Sequence, residues 1–148
     1  MSKEYVQGFY KPINPQKYIG NINQIVYRSS YELKAFKWCD LTENILSWGS
    51  EEINIKYYDH LTNKIRRYYP DLILMVKESD EVNKKYIVEI KPYKQTVKPK
   101  ASKRKKRDTY LNECITYEKN QMKWTAAKNF CEENGFIFKI ITEKDLQI

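Results

Sequence analysis

Two carboxylates and one amine are spaced in this sequence as a metal-assisted hydrolytic site requires. Asp71 follows Pro70, and Glu89 and Lys91 stand two residues apart in the next apolar segment. Side chains of an extended strand alternate between its faces, so Glu89 and Lys91 project to the same side. If the segment carrying Asp71 pairs with that strand through the polar turn around residues 77–84, both carboxylates reach one small volume. Two hard oxygen ligands of this kind suit Mg2+, with a substrate phosphate and waters completing its shell.

Lys91 would add a cation to the same site. It would orient or deprotonate the attacking water, or offset the charge that builds on a phosphate. The chemistry indicated is hydrolysis of a phosphodiester. The alternative is a surface strand that ends in a salt-bridged Glu89 and Lys91, which short sequence matches of this type also fit.

The positive charge of the chain is concentrated in one segment. Its 148 residues carry a formal net charge of +8, and seven cations without any acid lie within residues 98–107, which leaves +1 for the rest. Such a segment indicates an acidic partner, and close behind Lys91 it can reach phosphates beside a cut. The alternatives are a solvated loop and a nuclear-localisation-like signal. The predicted DNA-binding residues are Lys98, Lys100, Lys103, Arg104, Lys105, Lys106 and Arg107.

Composition indicates one folded domain in a reducing environment. Hydrophobic residues make up 41% of the chain, which also has 13 Tyr, and this favours a folded protein over a disordered one. The three cysteines are widely spaced without a CxxC pair, which disfavours a disulfide framework or a zinc knuckle. We expect neither export nor a membrane span, because no signal-peptide pattern or long apolar run is present. A single domain over residues 1–148 is predicted, with an extended arm over about 1–24 and a basic loop over 98–107.

Hydrophobic periodicity predicts the elements that would position these residues. A helix capped by the serine pair 29–30 should end before Trp48. Alternation over residues 53–57 and a second run over 65–76 predict a hairpin. The later elements are a strand over 86–91, a helix from 108 or 109 to Gly135, a strand over 136–141 and a short terminal helix near 142–145.

Pro70 interrupts the second of the predicted strands. A bend or bulge is therefore expected next to Asp71, and bulges commonly re-aim side chains beside active sites. The order helix, three strands, helix, strand ends in a βαβ unit, whose crossover helix covers one face of the sheet. The predicted fold class is a small α/β domain with a mixed central sheet flanked by helices.

The charged residues and the order of elements together resemble the PD-(D/E)XK nuclease superfamily. Pro70-Asp71 and Glu89-Ile90-Lys91 match its signature. The resemblance implies a restriction-endonuclease-like core and a Mg2+-dependent cut in DNA, with Mn2+ able to substitute.

Further segments narrow the resemblance. Residues 27–33, 69–71 and 89–96 are similar to the head-completion nucleases of tailed myophages. Residues 124–143 are similar to that group and to the TnsA-type endonucleases. The similarity covers most of the chain from Lys11 onward.

The resemblance also implies roles for individual residues. Asp71 and Glu89 would be metal ligands, with the backbone carbonyl of Ile90 as a further ligand. Lys91 would be the catalytic lysine. An acid on the first helix often joins such sites, and Glu32 matches it as a catalytic and metal-binding residue.

Other residues near the site have two interpretations. Glu32 lies on an apolar face, where a metal or a cation would offset its charge, and the alternatives are an ion pair with Arg28 or a place at the edge of the apolar stripe. Gln95 would support the site or belong to an ordinary polar loop. Gln121 and Lys128 would face the metal or DNA, or form the polar ends of a packing row.

Cations and aromatic residues also precede Asp71. Arg66 and Arg67 stand beside Tyr68 and Tyr69, and together they offer charges and stacking surfaces suited to DNA. Ordinary cross-strand pairing is the alternative interpretation.

The resemblance implies a metal-dependent endonuclease that acts on phage DNA at head completion, after packaging. Its partners would be DNA and portal or head-completion proteins, and a dimer is an option. The expected location is the host cytoplasm or the virion. The alternative is a non-catalytic structural head-completion or DNA-binding protein at the portal vertex. A sequence-specific DNA-binding module is disfavoured, because no helix-turn-helix spacing is present.

Overall fold

A four-stranded mixed sheet with a helix on each face forms the centre of the protein. The computed structural model describes residues 7–146, so residues 1–6 of the predicted arm lie outside the described part. The elements are β1 (Gly8–Phe9), β2 (Val26–Tyr27), α1 (Ser30–Leu41), β3 (Ile45–Ser50), β4 (Ile55–Asp59), β5 (Lys64–Tyr68), β6 (Leu72–Ser79), β7 (Val82–Ile90), α2 (Arg107–Asn134), β8 (Phe136–Ile141) and α3 (Glu143–Leu146), with 3-10 turns at Pro15–Lys17 and Tyr93–Gln95.

The central sheet has the strand order β3-β6-β7-β8. Its first three strands are antiparallel, whereas β8 runs parallel to β7 because the α2 crossover joins them. The predicted restriction-endonuclease-like α/β core with a mixed sheet is therefore confirmed. No helix within residues 7–146 is both long and apolar enough to cross a membrane.

Local sequence explains where both long helices start or stop. The Ser29 side chain accepts a hydrogen bond from the Glu32 N–H and caps α1, as the sequence predicts. Gly135 ends α2 in a left-handed conformation with φ of 75°, which glycine adopts without a Cβ penalty. The helix α2 starts slightly earlier than predicted. Its N-cap is Lys106, whereas the prediction put the cap at Asp108 or Thr109.

The strands before Asp71 differ from the prediction. The first core strand is β3, which the sequence did not indicate, while β4 and β5 form a separate two-stranded hairpin. The predicted strand over residues 65–76 is in fact two strands in two different sheets. Pro70 lies between them and cannot donate to a ladder, so it separates the strands where a bend was expected.

The two faces of the central sheet bury separate apolar clusters. Trp48 and Phe36 lie in the cluster under α1, with 5.4 Å between their ring centres. Ile87 lies in the cluster under α2 together with Trp124. Because strand side chains alternate, Glu89 projects to the same side of β7 as Ile87, toward α2.

The segment before α1 is fixed to the core by a buried aspartate. The Asp40 carboxylate accepts hydrogen bonds from the Tyr10 hydroxyl at 2.5 Å, the Ile13 N–H at 2.7 Å and the Asn14 N–H at 2.9 Å. Tyr18 also contacts β3, where its ring lies 4.7 Å from that of Trp48. The described part of the predicted arm therefore packs across α1 and the sheet edge.

Candidate active site

The register of the sheet brings Asp71, Glu89 and Lys91 together at one end of β7. Leu72 pairs with Val88, so Asp71 lies opposite Glu89 one position further along. Lys91 Nζ lies 3.5 Å from Glu89 Oε1. Two carboxylates and an ammonium group thus share one corner between the sheet and α2.

Burial makes this pair of carboxylates electrostatically unfavourable. The pKa of Asp71 is raised well above its usual value, first by burial and then by the charge of Glu89. Burial also raises the pKa of Glu89, although a hydrogen bond from Tyr68 and the charge of Lys91 oppose that shift. A divalent cation between the acids would remove their repulsion. The donor set therefore fits Mg2+, which proteins hold with one or two carboxylates plus phosphate and water.

The backbone supplies a further oxygen at the same place. The Ile90 N–H donates to Asp71 Oδ2 at 2.7 Å. The N–H and C=O of one strand residue face the same neighbour, so the Ile90 carbonyl also points toward the segment before β6. By continuation of the register, Pro70 lies opposite Ile90, and proline has no N–H to offer that carbonyl. The Ile90 carbonyl, which the resemblance implies as a metal ligand, therefore receives no hydrogen bond from Pro70.

Glu32 lies near the two acids, and its carboxylate bonds to the backbone just before the first helix. Glu32 Oε2 accepts a hydrogen bond from the Arg28 N–H at 3.1 Å. Burial raises the pKa of Glu32, the Arg28 N–H and charge oppose this, and Lys91 is close enough to lower it. In the described part of the chain, no three His, Cys, Asp or Glu side chains are grouped to hold a metal. Glu32 is therefore held beside the two acids, close enough for its charge to act on Asp71, and its role as a metal ligand stays a prediction.

The backbone beside Asp71 has an unusual conformation. Glu51 adopts a φ of 55°, which is uncommon for a residue with a Cβ. Its N–H donates to the Asp71 carbonyl at 3.2 Å, and its side chain pairs with Arg28 at 2.9 Å. Arg28 therefore forms its ion pair with Glu51, and not with Glu32 as the alternative interpretation of the sequence had it. These contacts hold the Asp71 backbone in place from the side of β3.

Tyr68 and Lys123 also line the site, although the sequence did not predict a role for either side chain there. The Tyr68 hydroxyl donates to Glu89 Oε2. Lys123 on α2 is half-buried, and its Nζ lies 6.0 Å from the centre of the Tyr68 ring. Burial and the charge of Lys91 lower the pKa of Lys123, while Glu89 and Asp71 raise it. A second ammonium group therefore faces the two acids.

The buried face of α2 explains why Lys123 was missed. Of the predicted row, only Trp124 lies on the buried face of α2. Gln121 and Lys128 lie on the flank of the helix opposite Lys123. Gln121 lines a groove of about 790 Å³ between α2 and β4, and Lys128 is exposed. Lys123 lies three residues after Asn120 and four residues before Ala127, so it shares a helix face with both. A buried face drawn through these two residues would have identified Lys123. The buried residues of this face are Asn120, Trp124, Ala127 and Cys131.

Gln95 lies in the 3-10 turn that follows Lys91. Its N–H donates to the Pro92 carbonyl at 2.9 Å, and its side chain is half-buried. The turn is fixed to α3, because the Tyr93 N–H donates to the Glu143 carboxylate at 3.0 Å. The turn therefore gives the chain a fixed exit from the site.

For a site that cuts DNA, as the resemblance implies, replacing Lys123 with methionine should lower the cleavage rate about tenfold, because a cation beside the two acids would be lost while the apolar stem is kept. The matched control is Lys128→Met on the exposed flank of the same helix, which should cut DNA like the parent protein. Initial rates at saturating DNA measure the effect. Equal rates for both variants would exclude Lys123 from the site.

The basic loop extends from this exit to the start of α2. Lys105 is engaged internally, donating to the Lys100 carbonyl at 2.9 Å and to Glu113 Oε2 at 2.8 Å. These bonds fix the loop on α2. The cations of the loop that remain exposed are Lys98, Lys100, Lys103, Arg104, Lys106 and Arg107.

Comparison with known proteins identifies the family. Residues 42–143 match the family model described as the TnsA-like endonuclease N-terminal domain. The chain is 36% identical over 143 residues to the head completion nuclease of Enterobacteria phage T4, covering 95% of this chain and 93% of that protein. No solved structure matches the chain. The chain therefore belongs to the TnsA-like endonuclease family and is a nuclease related to the head completion nuclease.

Proposed function

We propose that this protein is a Mg2+-dependent DNA endonuclease. The observation that carries the proposal is the opposed pair Asp71 and Glu89, two carboxylates with raised pKa values beside the Lys91 ammonium group. Burying like charges together is costly and contributes nothing to folding. A divalent cation and a substrate phosphate would turn this arrangement into a favourable one.

Each residue of the site has a separate task in this proposal. Asp71, Glu89 and the Ile90 carbonyl would hold the cation. Bound there, Mg2+ would lower the pKa of a water and neutralise charge on a phosphate oxygen. Lys91 would stabilise the charge that builds on the phosphate as water attacks phosphorus and the bond to the leaving oxygen breaks. The Tyr68 hydroxyl would keep the Glu89 carboxylate in position.

The exposed cations of the basic loop support DNA as the substrate. Each phosphate that they neutralise would contribute to binding by counterion release, with a log–log salt slope of about −0.9 per contact on duplex DNA. Residues 92–97 connect Lys91 to the loop, which ends where α2 begins at Arg107, so the loop would contact DNA phosphates beyond those at the cut. By relation to the phage protein, we propose that the substrate is phage DNA at head completion, after packaging.

The same relation suggests where the enzyme acts. We propose that it works in the host cytoplasm, associates with the virion, and contacts the portal or head-completion proteins. Membranes are not among the proposed partners.

A cleavage assay with metal exchange tests the enzymatic proposal. The purified chain should convert supercoiled plasmid and linear duplex DNA to shorter products in Mg2+, lose this activity in EDTA and regain it when Mn2+ is added. Gel electrophoresis over time measures the rate. Undiminished cleavage in EDTA would contradict the metal proposal alone, whereas intact DNA with both metals would contradict the nuclease proposal.

A non-catalytic role in head completion predicts a different result. In that case, particles assembled with Asp71→Asn should be as infectious as those assembled with the parent protein. We expect instead that infectivity falls together with cleavage. The infectivity of particles carrying each variant decides between the two roles.

A further inference from the structure

The β4–β5 hairpin has one face turned to the core and one turned to solvent. On the inner face, Arg66 Nε pairs with the buried Asp59 at 2.8 Å, and Tyr68 reaches Glu89. Tyr57 is buried on the same face, in the cluster beneath α2. The inner face thus contributes to packing, ion pairing and support of the site.

The outer face carries cations and large side chains. Lys56 stands directly opposite Arg67, and Tyr58 stands directly opposite Ile65. Ile65 is 73% exposed, Tyr58 is 47% exposed, and Tyr69 just beyond β5 is 48% exposed. Alternation along the strands places no acid on this face.

The two opposed cations have no neutralising partner in the described chain. Across residues 7–146, neither Lys56 nor Arg67 has a carboxylate within ion-pair distance. Like charges directly opposite on a sheet destabilise it. By contrast, the neighbouring Arg66 is paired. The hairpin thus keeps an unfavourable charge pair on its exposed side, which an anionic partner would stabilise.

We propose that this outer face binds the duplex DNA that the site cuts, a step that rests on the proposed function. Lys56 and Arg67 contact phosphates, and Tyr58, Ile65 and Tyr69 pack against the sugar-phosphate backbone. Two-stranded ribbons are used by other proteins to enter or straddle a DNA groove.

The position of the hairpin favours the substrate over any other anionic ligand. Asp71 lies four positions after Arg67, so their Cα atoms are at most about 14 Å apart. The hairpin therefore leads directly into the segment that carries the predicted ligand. In this proposal, a duplex held in the site extends past the hairpin, so that its phosphates reach Lys56 and Arg67. The hairpin and the basic loop would then be two DNA-binding surfaces, one before Asp71 in the chain and one after Lys91.

The double variant Lys56→Ala/Arg67→Ala tests this surface. DNA affinity, measured by fluorescence anisotropy in an Asp71→Asn background so that the duplex stays intact, should fall on the order of tenfold or more, and the log–log salt slope should lose about 2. In the cutting protein, KM should rise while kcat at saturating DNA stays unchanged. Thermal stability should stay equal or rise, because a like-charge pair is removed.

The matched control is Lys77→Ala/Lys84→Ala. These two lysines are exposed near the turn between β6 and β7, at the far end of the same sheet from Glu89. The control removes the same charge and should keep the affinity and the salt slope of the parent. Equal losses in both double variants would show a general charge effect and overturn the proposal.

The outcomes also separate this inference from the proposed function. If the parent protein cuts DNA and the hairpin variant binds as tightly as the parent, only the hairpin proposal fails. If the parent neither binds nor cuts DNA, both proposals fail.

Discussion

Replacing Asp71 with asparagine should lower the rate of DNA cleavage by at least about 100-fold without unfolding the protein. Asparagine retains an oxygen that can accept the Ile90 N–H, so the local geometry is preserved. The negative charge, and with it one proposed metal ligand, is lost.

The same substitution should leave the metal-free protein equally stable or more stable. Burial and the charge of Glu89 act against the ionised Asp71 carboxylate, and the amide removes both effects. A loss of activity without a loss of stability is the behaviour of a residue kept for function. Cleavage rates in Mg2+ and thermal unfolding in EDTA measure the two effects.

Asp80→Asn provides the matched control. Asp80 is exposed in the turn between β6 and β7, and the same chemical change there should affect neither cleavage nor stability. If Asp71→Asn cuts DNA at the rate of this control, the assignment of the site is wrong.

Replacing Asp40 with alanine should destabilise the protein by about 4 kcal/mol, because hydrogen bonds to a charged group are strong and their donors would be left buried. The lost acceptor serves the Tyr10 hydroxyl and two backbone N–H groups. Denaturant unfolding measures the free-energy change. The exposed Glu43→Ala, just beyond α1, is the control and should be neutral.

Asp40 should also make the fold sensitive to acid. Burial acts to raise the pKa of Asp40, but the hydrogen bonds from Tyr10, Ile13 and Asn14 outweigh it and hold the pKa below its usual value. A lowered pKa in the folded state means that this stabilisation is present above the unfolded pKa of about 4 and is lost as pH falls through the folded value. Unfolding curves from pH 6 down to about pH 2 should therefore converge for the parent and Asp40→Asn. A constant difference across that range would contradict the assignment.

Local signals in the sequence were sufficient to predict the helix ends that are fixed by a capping residue. Ser29 caps α1 and Gly135 ends α2 because caps depend on a few neighbouring atoms. The strand β3 was missed because Ile45–Ser50 is short, contains Gly49 and lacks clear alternation. Its burial depends on α1 and on the segment around Tyr18, which both pack against Trp48, and local periodicity does not encode such distant contacts.

The sequence by itself determined that Glu89 and Lys91 share one face, since two residues along a strand always do. It also determined that most of the positive charge of the chain follows these residues in one segment, residues 98–107. Only the tertiary structure decided that Asp71 lies opposite Glu89, that Arg28 pairs with Glu51, and which flank of α2 faces the acids. Strand register and helix rotation are set by packing between distant segments, and a shift of one residue in either would move these side chains to another face. Lys123 and the outer face of the hairpin became visible only once that packing was known.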